Sequence, residues 1–146
     1  MILQVLAAVI GTVGFSVLYG VPRQYYPYCG LIGGAGWLLY SLLIPWCSTP
    51  EATLFATVLV ILLSRLFAVR KRCPVTIFLI PGIFSLVPGA GLYWTSYYIV
   101  TNDVELAAQT GFTALKVAVA IVLGIVFVFQ LPQRIFRVGM KKDKRG

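Results

Sequence analysis

The sequence predicts an all-α integral membrane domain of five transmembrane helices, the fourth discontinuous, with the N-terminus outside and the C-terminus inside. Three observations predict it. Hydrophobic residues make up 60% of the 146-residue chain and charged residues only 11%. With a mean hydropathy of +0.93, that balance excludes a soluble domain, whose surface needs roughly 25% charged residues. Apolar runs long enough to cross a bilayer are separated only by short polar turns, so residues 1–146 form one domain. Finally, the basic residues gather at alternate span ends.

The first span covers residues 2–20. It lacks the basic n-region and small-x-small cleavage site of a signal peptide and is expected to be retained. Gly11 and Gly14 allow close helix packing. A short loop with Arg23 and the interfacial aromatics Tyr25, Tyr26 and Tyr28 follows. The second span, residues 29–46, opens with Gly30, Gly33, Gly34 and Gly36; Gly30 and Gly34 form a G-x-x-x-G face for another helix. Ser48, Pro50 and Glu51 then supply a hydroxyl cap, a first-turn proline and an acid at the positive end of the third helix.

The third span, residues 52–69, carries Arg65, close enough to Arg70, Lys71 and Arg72 to snorkel to that interface. Thr53, Thr57 and Ser64 share a stripe that is either a wet face or a row of hydroxyls bonded to their own helix. The fourth span, residues 75–100, contains Pro81-Gly82, Pro88-Gly89 and Gly91. Each proline removes a backbone donor and clashes with the preceding turn. Helix breaks are therefore expected at Pro81, Gly82, Pro88 and Gly89. Broken backbone at membrane depth must be packed in protein or line a wet cavity, as in the discontinuous helices of transporters; the alternative is a proline kink whose freed carbonyl is satisfied by a neighbouring helix. Asn102 and Glu105 read as a capping box for the fifth span, residues 106–131, with Asp103 and Glu105 as cap and dipole partners. Pro132 closes that span and a basic cytoplasmic tail, residues 132–146, completes the chain.

Ten of the twelve Lys and Arg residues fall in the first loop, the third loop and the tail, all on one side of a five-span arrangement. The positive-inside rule then orients the chain. The same clustering explains the +8 charge by anionic headgroups and not by nucleic acid. With no histidine and four carboxylates, no metal site, no cofactor and no catalytic residue is expected; the chain does not read as an enzyme. Cys29, Cys47 and Cys73 form no C-x-x-C pair and read as small apolar residues.

Lys116 lies about ten residues into the fifth span, ~15 Å deep in a ~30 Å core. A lysine at the helix centre costs ~3 kcal/mol even on lenient scales. Gln109, Thr113, Lys116 and Ala120 share one stripe, expected to face inward. No intramembrane Asp or Glu is evident to pair with the lysine, so an acid comes from a partner protein or is the ligand. A half-helix starting at Pro88-Gly89 points free N–H groups into the membrane. The candidate substrate site is thus Pro88, Gly89, Ala90, Gly91, Lys116 and Thr113, taking a small carboxylate. Tyr93 joins it or belongs to an interface belt.

Three segments carry a family resemblance: G-T-V-G-F-S-V-L-Y-G-V-P-R (11–23), C-G-L-I-G-G-A-G-W (29–37) and P-V-T-I-F-L-I-P-G-I-F-S-L-V-P-G-A-G-L-Y-W (74–94). They resemble the threonine/serine exporter family, and within it the short five-span member that corresponds to the C-terminal half of the single-chain exporters. Ser85 stands where related sequences often have Pro. The resemblance implies a multi-pass protein of the prokaryotic cytoplasmic membrane that exports threonine/serine-type amino acids or C4 dicarboxylates such as succinate. It also implies a longer membrane subunit of the same family as partner. The chain has no internal repeat, so its symmetry mate is another subunit, that longer one or a second copy in a homo-oligomer. The competing reading is a scaffold that does not transport and only stabilises a partner transporter.

Overall fold

The computed structural model describes residues 1–132, and among them all regular structure is helical. The order is α1 (Ile2–Leu18), a 3₁₀ turn (Arg23–Tyr25), α2 (Tyr26–Leu43), α3 (Thr49–Lys71), α4 (Thr76–Phe84), α5 (Gly89–Val100) and α6 (Val104–Phe129). The basic tail expected beyond residue 132 lies outside the described residues.

Three helix ends use one device. The amide of Val21 reaches back to the Ser16 carbonyl at 2.9 Å, that of Cys73 to Ala68 at 3.1 Å, and that of Asp103 to Tyr98 at 2.9 Å. Each closes a turn around one left-handed residue: Gly20 (φ +70), Arg72 (φ +54) and Asn102 (φ +63). This satisfies carbonyls that a helix end otherwise orphans. It also corrects the capping box expected at Asn102. Asn tolerates the left-handed region, so Asn102 ends α5, and Asp103 caps α6 by accepting from the Leu106 amide at 3.3 Å. At the start of α3 the expectation holds: Glu51 Oε2 accepts from the Ser48 amide at 3.1 Å, with proline in the first turn.

The core lies between α2, α3 and α4, around Cys29, Ile32, Ala56, Val60 and Phe78, with α1 and α6 packed on its flanks. The α2 glycines make this possible. A Cβ on Gly33 would stand 2.0 Å from Thr12 Oγ1 of α1, and one on Gly36 2.5 Å from Val60 Cγ2 of α3. Gly11 and Gly14 of α1, also read as packing glycines, face open space. Leu54 and Thr57 meet Gly124, and Arg65 meets Val128, so α3 and α6 run parallel.

By length and composition α3 (23 residues) and α6 (26 residues) can each cross a membrane, and α4 with α5, bent by 45° at their break, is either a third, broken span or a re-entrant loop. The apolar helix α1 has 17 residues and α2 has 18. The chain is a multi-pass helical membrane protein. None of the residues of α5 is buried, and it packs chiefly on α6.

Candidate functional site

The two Pro-Gly pairs have different fates. Helix α4 continues through Pro81-Gly82, so the break expected there does not occur. Pro81 is fully buried and cannot donate to the carbonyl of Ile77, one turn earlier. The thiol of Cys29 on α2 donates to that oxygen instead, with sulfur and oxygen 3.7 Å apart. Cys29 is therefore more than a filler. A Cβ on Gly82 would stand 2.9 Å from Val60 Cγ1 and 3.0 Å from Ile32 Cγ2, so this pair is where α4 docks on α2 and α3.

The helix does break at residues 85–88. The Ser85 hydroxyl donates to the Gly82 carbonyl at 2.8 Å, a bond proline could not make there. The Gly89 amide turns back to Val87 O at 2.7 Å, and Pro88 is the N-cap of α5. Gly89 and Ala90 are exposed, and a Cβ on Gly89 would meet nothing within 4 Å. Gly91 is a packing residue: its Cβ would stand 3.2 Å from Ala114 Cβ. Four residues on, Thr95 Oγ1 lies 3.1 Å from Thr110 Oγ1 and donates to Gly91 O at 2.7 Å. These contacts join α5 and α6 in an antiparallel hairpin. Tyr93 is exposed, with its ring edge-on to Trp94 at 5.4 Å.

Lys116 follows Ala114 by two residues, which turns it ~200° around α6, onto the side away from α5. Pro88 to Gly91 and Lys116 therefore stand at the same level but on opposite sides of α6. The inward stripe is corrected too: Gln109, Thr113 and Lys116 are exposed and only Ala120 is buried, because α5 and α3 take the small-residue side of α6. The Thr113 hydroxyl donates to Gln109 O at 3.0 Å in its own helix.

Lys116 lines an open groove of about 420 Å³ between α6 and the first turns of α3. Its ammonium sits 4.6 Å from the centre of the Phe112 ring, a cation–π contact that offsets part of its desolvation. Pro50, Glu51 and Leu54 form the facing wall. Helices that started at a common plane would keep Glu51, in the first turn of its helix, far from Lys116. Here α3 begins beside the middle of α6, so the capping acid shares the lysine's groove.

Arg65 differs from its expected snorkelling. It is 6% exposed, donates from Nη1 to Val128 O at 2.6 Å, and lies 5.7 Å from the centre of the Phe129 ring. A cation there meets the negative end of α6. On the α3 stripe, Thr53 and Ser64 bond to carbonyls of their own helix at 2.8 and 2.7 Å. Thr57 is fully buried against Gly124, and its hydroxyl has no hydrogen-bond partner among the described residues.

An apolar helical bundle with helices long enough to cross a bilayer, and with Lys116 and Glu51 lining one groove, has the build of a multi-pass membrane protein. The sequence profile of the threonine/serine exporter family, ThrE, matches residues 4–130. The chain belongs to that family, whose members are membrane transporters. No curated protein and no solved structure matches it.

Proposed function

We propose that the chain is one subunit of an exporter of small carboxylate-bearing metabolites, threonine/serine-type amino acids or C4 dicarboxylates such as succinate. It works with a longer membrane subunit of the same family, in a prokaryotic cytoplasmic membrane, with five spans and its N-terminus outside. The observation that carries this reading is Lys116, an ammonium displayed in a 420 Å³ groove on a helix long enough to span. An ammonium on a spanning helix is favoured where anions meet it, and the open groove leaves room for a substrate carboxylate beside Lys116 as well as for Glu51 on the facing wall. In this reading the substrate carboxylate binds Lys116, while Pro88 to Gly91, across α6, act as the hinge of the α5–α6 hairpin.

The scaffold reading draws on a different observation, the exposed aromatics Tyr93, Trp94 and Tyr97 of α5, which offer a broad face to another subunit. Reconstitution of both proteins in proteoliposomes separates the two. Uptake of threonine or succinate should need both chains and fall to background with Lys116→Met, while the Lys116→Met chain still inserts and assembles. Lys116→Arg should change affinity or selectivity without restoring normal uptake. Full uptake by Lys116→Met would leave the scaffold role.

A further inference from the structure

The groove holds one cation and one anion, and that combination discriminates between the two substrate classes. A C4 dicarboxylate can set one carboxylate against Lys116, but its second negative charge then shares an otherwise apolar groove with Glu51. Like charges repel more strongly there than in bulk water. A zwitterionic α-amino acid has one carboxylate and one ammonium, so each end finds an opposite charge. The groove volume also falls in the range of small-molecule sites. We propose that Glu51 determines specificity by taking the α-ammonium of an amino acid whose carboxylate binds Lys116. This rests on the export reading above.

The local structure suits Glu51 to the task. Its Oε2 is held by the Ser48 amide at 3.1 Å, which orients the carboxylate and leaves acceptor capacity on the other oxygen. Its place in the first turn of α3 sets the carboxylate at the positive end of the helix dipole. Phe112 and Leu54 provide apolar walls for the aliphatic part of the ligand.

Glu51→Gln tests the charge without losing the cap, because glutamine serves equally as the third residue of a capping box. Binding of threonine, 3-hydroxybutyrate (the same skeleton without the ammonium) and succinate is measured on the full chain in nanodiscs, alone and with the longer subunit. The parent should bind threonine on the order of 10- to 100-fold more tightly than 3-hydroxybutyrate, the range for a hydrogen-bonded charge. Glu51→Gln should erase that preference and improve succinate binding, with its thermal midpoint unchanged. Glu51→Asp, which keeps the charge, should retain the preference. Glu51→Gln with the parent's threonine preference would overturn the assignment of Glu51. If Lys116→Met still abolished binding in that case, the export reading would survive. A parent that binds none of the three ligands overturns both. Threonine displaced by phosphatidylethanolamine would overturn it in another way, by making the groove a site for a lipid headgroup.

Discussion

Gly33→Ala adds one methyl group at the α1–α2 contact, and the structure says how much room it lacks. The new Cβ would stand 2.0 Å from Thr12 Oγ1, 2.7 Å from Thr12 Cβ and 2.9 Å from Thr12 Cγ2, where ordinary contact needs 3.4–4 Å. Thr12 is 1% exposed, and its hydroxyl donates to Ala8 O at 2.7 Å. Its branched side chain cannot move aside without losing that bond, worth about 1 kcal/mol. Otherwise α1 must shift away from α2, an overpacking cost of typically 1–3 kcal/mol. Alanine returns up to about 1 kcal/mol through helix propensity. The net expectation is a loss of about 1–3 kcal/mol.

Gly11→Ala and Gly14→Ala are the controls, since a Cβ at either meets nothing within 4 Å. Each should be neutral or stabilising by up to about 1 kcal/mol. Unfolding of the purified chain in bicelles, followed by circular dichroism, compares all three. Thr12→Ala should recover part of the Gly33→Ala loss, a coupling that a double-mutant cycle isolates. A Gly33→Ala chain as stable as the parent, or a Gly11→Ala chain less stable than it, would refute this packing argument.

Two further outcomes follow from the same structure. Cys29→Ala should destabilise by about 0.5–1 kcal/mol by orphaning Ile77 O. Combined with Pro81→Ala, which restores an N–H, the loss should be less than additive in unfolding measurements; strict additivity would sever the thiol from the proline. For topology, cysteines at Ser48 and Asn102 should react with impermeant thiol reagents from outside, while Lys142→Cys, beyond the described residues, should be protected; a protected Asn102 with a reactive Lys142 site would overturn the five-span arrangement.

The sequence made some features of the fold legible and hid others, and the residues show why. Apolar run lengths were enough for the helical class, and the break before Gly89 followed from Pro88. Pro81 misled, because the oxygen it frees is met by Cys29, 48 residues away. A tertiary partner of that kind leaves no local pattern. Asn102 misled in a different way: its side chain suits an N-cap and its backbone suits a left-handed end, and α5 took the second use.

Lys116 shows the limit of periodicity itself. Spacing places Gln109, Thr113, Lys116 and Ala120 on one stripe, yet it cannot say which way the stripe faces. That is decided by Gly91 against Ala114 and Gly124 against Thr57, the small residues through which α6 meets α5 and α3. Counting residues along α6 alone cannot show which part of another helix lies beside Lys116, and here it is the start of α3. That placement gives Glu51 two roles that do not compete. As third residue of a capped helix it must sit in the first turn, with a carboxylate oxygen turned back to the Ser48 amide. Because that first turn stands beside Lys116, the residue that starts α3 also brings a negative charge to the groove, without adding a carboxylate to the middle of any span.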